Sequence, residues 1–80
     1  MHQVTLYTKP ECHLCEAVEQ VIKRVGTSNP FELTIKNILH DPKDFELYKH
    51  DIPVVLLNGT EIARYRLSES EFLTKLGENC

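Results

Sequence analysis

No apolar run in this chain is long enough to cross a bilayer. The longest, Val54 to Leu57, falls far short of the roughly 20 residues a membrane helix needs, and the opening MHQVTLYTK lacks the apolar stretch of a secretory leader. These absences predict a cytoplasmic protein with no membrane partner. A charge excess is missing too: nine basic and twelve acidic residues, net −3, are mixed along the sequence. Such a balance leaves no basic stripe for nucleic acid or an anionic surface. Glycine and proline are scarce, at three and four, which excludes a collagen-like repeat or a flexible linker. No internal repeat or low-complexity tract divides the chain. A single domain over residues 1–80 is predicted, with only marginal stability at that length. Cysteines are few and odd in number: three cannot all pair within one chain, and a reducing compartment discourages structural staples.

What is present is local order. Val4, Leu6 and Thr8 alternate with Thr5 and Tyr7, so QVTLYT reads as a first strand, with Tyr7 on its outward face. Cys12 and Cys15 follow at once in TKPECHLCEAV, residues 8–18. Beyond them Ala17, Val18, Val21, Ile22 and Val25 line one face of a helix that Gly26 is placed to end. FELTIKN, with Phe31, Leu33 and Ile35 on one side, is a second strand, and the connection predicts a parallel, right-handed crossover. Asp41 caps a short helix that Pro42 opens and to which Phe45 and Tyr48 bring apolar contacts. DIPVVLLNGTEIARY reads as two strands turned at Asn58-Gly59. Ser68 and Glu71 form a capping box ahead of Phe72, Leu73 and Leu76, with Gly77 as the helix end. The order β-α-β-α-β-β-α predicts an α/β domain, a four-stranded mixed sheet covered by helices on both faces.

That order, with CHLC opening the first helix and DIP opening the third strand, resembles the thioredoxin fold in its short, glutaredoxin-like form. The likeness covers essentially the whole chain. YTKPECHLCE together with DIPVVLLNG is similar to a small glutaredoxin-like group whose active site reads Cys-His-Leu-Cys.

In disulfide exchange the thiolate is the nucleophile, so a reactive cysteine needs its pKa lowered from about 8.5. Cys12 falls at or just before the helix N-terminus, where unpaired amides and the macrodipole favour negative charge by roughly 0.3–1 kcal/mol. Lys9 and His13, if protonated, push the same way, while Glu11 and Glu16 oppose them. Cys15, one turn on, shares the face of Cys12 and lies deeper, within reach to resolve a mixed disulfide. The sequence therefore predicts a dithiol-disulfide oxidoreductase with Cys12 as nucleophile and Cys15 as resolver. It works as a monomer on a protein or small-molecule disulfide, with no tightly bound cofactor.

The resemblance implies further roles. It makes the Ile52–Pro53 bond cis and sets it beside the cysteine pair, with the backbone of Ile52 aligning substrate. It makes Lys9 a contact for the glycine carboxylate of glutathione, the implied co-substrate. Glutaredoxins carry a glycine pair after the fourth strand; here Ala63 and Arg64 stand in those places. A Cβ there hinders close backbone approach, and Arg64 or Arg66 is left to bind a carboxylate by charge-assisted bonds. Two other readings of the pair stay open. A C-x-x-C knuckle gives two zinc thiolates or part of a bridging iron–sulfur site, but His2, His40, His50 and Cys80 match no zinc spacing. Alternatively the chain is a non-enzymatic module whose groove binds a peptide. Cys80 reads as a free terminal thiol, and Phe31, Phe45 and Phe72 as core.

Overall fold

The computed structural model describes residues 1–78, so Cys80 lies outside the described residues. The elements are β1 (His2–Thr8), α1 (His13–Gly26), β2 (Phe31–Asn37), a single 3₁₀ turn (Ile38–His40), α2 (Pro42–Tyr48), β3 (Val54–Leu57), β4 (Thr60–Arg64) and α3 (Glu69–Glu78). The strands run β2-β1-β3-β4 across one sheet. β1 is parallel to β2 and antiparallel to β3, and β3 pairs antiparallel with β4. The mixed sheet and the element order are those expected of the sequence, and the fold is α/β.

Strand alternation sends successive side chains to opposite faces, and here both faces are covered. Val4 and Leu6 of β1, with Val55 and Leu57 of β3, meet Val18, Ile22 and Val25 of α1 and Phe72 and Leu76 of α3. On the other face Tyr7 and Val54 close over Ile38, with Tyr48, Ile52 and Leu56 at the margin. Tyr7 is thus buried instead of outward, its ring stacked on Tyr48 at 4.4 Å. The reason is the 3₁₀ turn and α2, which roof a face that alternation alone leaves to solvent.

Local capping follows the chemistry of the residues. The Asp41 side chain accepts from the Lys43 N–H at 2.8 Å ahead of Pro42. Ser68 accepts from the Glu71 N–H at 3.1 Å and donates to the Glu71 carboxylate at 3.1 Å. Neither Gly26 nor Gly77 supplies a left-handed helix cap. Gly26 is the last residue of α1, capped by Thr27 in a right-handed conformation, and a Cβ at Gly26 would stand 3.1 Å from the Phe31 ring. The glycine there makes room for an aromatic ring; it supplies no left-handed turn. Gly77 lies inside α3. Phe31 and Phe72 meet edge to face at 5.5 Å, whereas Phe45 is exposed beneath the Lys49 ammonium, and Ile35 on edge strand β2 is exposed as well. The Phe45 and Ile35 positions fail as core because no element packs over them.

The β3–β4 hairpin is governed by Asn58 (φ 52°) and Gly59 (φ 85°), the left-handed pair that a tight primed turn requires. Asn58 also exchanges hydrogen bonds with the Gln3 backbone at 2.8 and 2.9 Å, which ties the turn to β1. Because nothing lies within 4 Å of a Cβ placed at Gly59, Gly59→Ala is expected to cost backbone strain alone, about 1–2 kcal/mol. Urea unfolding should show a lowered midpoint at unchanged slope.

Candidate active site

The chain leaves β1 through Lys9, Pro10 and Glu11, and Glu11 adopts φ 59° before Cys12 takes the N-cap of α1. That cap is sulfur: Cys12 Sγ accepts from the Cys15 N–H at 3.2 Å, while the Cys12 carbonyl accepts from the Glu16 N–H at 3.1 Å. A free helix amide is thereby satisfied by the residue whose negative form the helix end favours. Cys12 and Cys15 are joined as a disulfide with Cα atoms 5.2 Å apart, inside the usual range. Their surroundings differ. Cys15 is 2 % exposed and packed beneath the helix, whereas Cys12 is only half-buried.

The Ile52–Pro53 bond is cis. Val54 pairs with Tyr7, so Pro53 lies at the end of the sheet from which the Lys9–Cys12 loop departs. Pro53 is buried, and its carbonyl accepts from the Tyr65 N–H at 2.8 Å. The Ile52 peptide groups make no hydrogen bond among the described residues, so they are free for an extended chain alongside.

The remaining sequence candidates are arranged less tightly. His13 is fully exposed, its ring 3.9 Å from the Glu16 carboxylate. Lys9 is exposed, and its ammonium has no polar partner among the described residues. Ala63 and Arg64 lie within β4, opposite Val55 and Val54, instead of following it. Ile62 is the extra residue of a bulge between the Val55–Ala63 and Leu56–Glu61 pairs, and bulges re-aim the strand that carries them. The Arg64 guanidinium is committed: it bonds Glu61 and sits 3.2 Å from Asp51. The Glu61 hydrogen bond and charge push the Arg64 pKa further up.

Sequence reasoning missed Tyr65 and Asp51. Tyr65 has φ 67° and is exposed, and its hydroxyl donates toward Asp51 at 3.0 Å with the His50 carbonyl at 3.2 Å. The Asp51 hydrogen bond raises the Tyr65 phenol above its ordinary pKa. Asp51, held by Arg64 and Tyr65, directly precedes Ile52–Pro53, so the end of β4 and the cis bond form one connected unit. No sequence signal marks a left-handed tyrosine. Among the described residues no cluster of three or more His, Cys, Asp and Glu side chains is placed to hold a metal ion.

A C-x-x-C disulfide at the head of α1, a cis-proline opening β3 and this sheet order together define a thioredoxin-fold domain. The chain belongs to the glutaredoxin-like domain family (DUF836), whose pattern matches residues 3–77. Its fold is similar to that of protein Ne2328 from Nitrosomonas europaea, solved by NMR, at TM-score 0.79 and 24% identity, covering 92% of this chain and 89% of that one. The X-ray structure of XcR50 from X. campestris is similar at TM-score 0.79 and 20% identity over 94% and 96% of the two chains. Thioredoxin 1 from Thermosipho africanus is similar at TM-score 0.69 and 17% identity over 96% and 92%. At such identities the likeness concerns fold.

Proposed function

We propose that the protein is a dithiol-disulfide oxidoreductase in which Cys12 attacks and Cys15 resolves. The reading rests on one observation: two joined sulfurs, one at the partly open tip of α1 and accepting a helix amide, the other buried behind it. In the reduced protein the Cys12 thiolate attacks one sulfur of a substrate disulfide. A Cys12–substrate disulfide forms, and the other substrate sulfur leaves as a thiolate that takes a proton from solvent. Cys15 then gives up its proton and attacks the Cys12 sulfur. The Cys12–Cys15 bond closes and the second substrate thiolate leaves, so the substrate has gained two electrons. Two equivalents of a small thiol such as glutathione, or one dithiol protein, reduce the pair again.

The free peptide groups of Ile52 support strand-like alignment of the substrate beside Pro53. Lys9 and His13 are the cationic groups nearest in sequence to Cys12, and each adds to the thiolate preference when protonated. The helix end by itself contributes about 0.3–1 kcal/mol, less than one pKa unit. The reading further places the protein in the cytoplasm as a monomer without a tightly bound cofactor. Neither nucleic acid nor a membrane is among its partners.

Brief alkylation of the reduced protein with iodoacetamide at pH 7, followed by peptide mapping, tests the assignment. Cys12 is expected to react at least about tenfold faster than Cys15 and faster than cysteine in an unstructured peptide. Slow labelling at the rate of the free peptide would instead favour a binding module with inert sulfurs.

A further inference from the structure

A cavity of about 300 Å³ lies between α1 and the segment after β4. It is lined by Leu14, Ala17, Val18, Val21, Tyr65, Arg66 and Leu67. Leu14 belongs to the first turn of α1, the turn that Cys12 caps and that holds Cys15, so one end of the cavity reaches the turn that carries the reactive pair. Its floor is apolar. Ala17 is exposed and Val21 only partly covered, although both lie on a helix whose sheet-facing side chains, Val18, Ile22 and Val25, are fully packed. Leu14 at 42 % and Tyr65 at 45 % exposure extend the apolar rim.

Arg66 is the one cation on this lining, and its guanidinium has no hydrogen bond or ion pair among the described residues. Arg64 and Arg24, by contrast, are tied to carboxylates. An unpaired guanidinium at the edge of an apolar hollow is complementary to a carboxylate beside an apolar side chain. Glutathione has carboxylates but no apolar side chain to cover Ala17, Val21 and Leu67. The volume, at the low end of the roughly 300–1,000 Å³ of ligand sites, matches one side chain with its neighbour.

We propose that this cavity selects protein disulfides whose cysteine is flanked by a large apolar residue and an acidic one. The apolar side chain enters between Leu14, Val21 and Leu67, and the carboxylate meets Arg66. The proposal rests on the oxidoreductase reading above and names its substrate class.

The test uses three probes, each carrying its cysteine as a mixed disulfide with thionitrobenzoate. They are a peptide with Leu and Asp flanking the cysteine, the same peptide with both replaced by Ser, and glutathione. Rates of thionitrobenzoate release by the reduced protein are each divided by its rate with hydroxyethyl disulfide, a neutral probe too small to fill the cavity. The Leu/Asp peptide is expected to exceed the Ser peptide and glutathione by about tenfold, the value of burying part of one aliphatic side chain. In Arg66→Glu the ratio should fall about threefold and recover with a Leu/Lys peptide. Ala17→Gln, on an exposed helix position, should remove the leucine preference by filling the floor. Equal ratios for the probes, or a preference that survives both substitutions, would overturn the proposal while leaving the redox reading intact. Failure of the reduced wild-type protein to exchange with hydroxyethyl disulfide would end both.

Discussion

Replacing Cys12 with Ser is expected to lower disulfide exchange by more than about a thousandfold, to the background of solution thiols, because among the described residues no other sulfur stands at the open end of α1. Cys15→Ser should give a different phenotype. Its first step survives, since the attacking sulfur and its helix amides are unchanged, but the mixed disulfide cannot be resolved from behind. Mass spectrometry of that variant after incubation with a disulfide peptide should show one covalent adduct on Cys12, released by added dithiol. If Cys12→Ser retained activity, or the adduct formed on Cys15→Ser lay elsewhere than Cys12, the roles assigned to the two positions would be wrong. The asymmetry follows from burial: a thiol 2 % exposed is reached by the neighbouring sulfur long before it is reached by a bulky substrate.

The second large effect concerns stability. Phe72→Ala should cost about 3–5 kcal/mol. The ring is fully buried, meets Phe31 at 5.5 Å, and anchors α3 against Leu57, Ile22 and Leu6 in one cluster. Domains of this kind hold about 5–15 kcal/mol in all, and short chains sit near the lower bound. The variant should therefore be partly unfolded at room temperature, by loss of cooperative denaturant unfolding and of near-ultraviolet dichroism. Phe45→Ala is the contrasting case. Its ring is exposed on α2, touched by the Lys49 ammonium at 5.7 Å, and its removal should cost below about 1 kcal/mol. Similar losses from the two substitutions would contradict the core described above.

Signals confined to a few neighbouring residues were readable directly. The Cys12 N-cap, the Asp41–Pro42 helix start, the Ser68–Glu71 capping box and the Asn58-Gly59 turn each depend on bonds made within four residues. Period-two alternation likewise marked Phe31–Asn37 at its observed bounds. Alternation says which side chains share a face but not whether that face is roofed, so the inward Tyr7 and the exposed Ile35 were both misread. Gly26 closes α1 as its position suggests, but Gly77 lies inside α3: a glycine near a helix end can serve a neighbour's ring or no special purpose at all. The bulge at Ile62 and the left-handed Tyr65 are products of tertiary register. They fixed Arg64 in a clamp with Asp51 and Glu61 and left Arg66 without an ion pair among the described residues, a distinction that composition does not carry.

The sheet ends in two unlike borders. β4 is interrupted after two residues by its bulge and carries Glu61 and Arg64, features that deter strand addition. β2 is seven residues long, with Ile35 open to solvent between Thr34 and Lys36. Self-association through backbone pairing, where crowding or partial unfolding promotes it, therefore has a preferred seam on the β2 side.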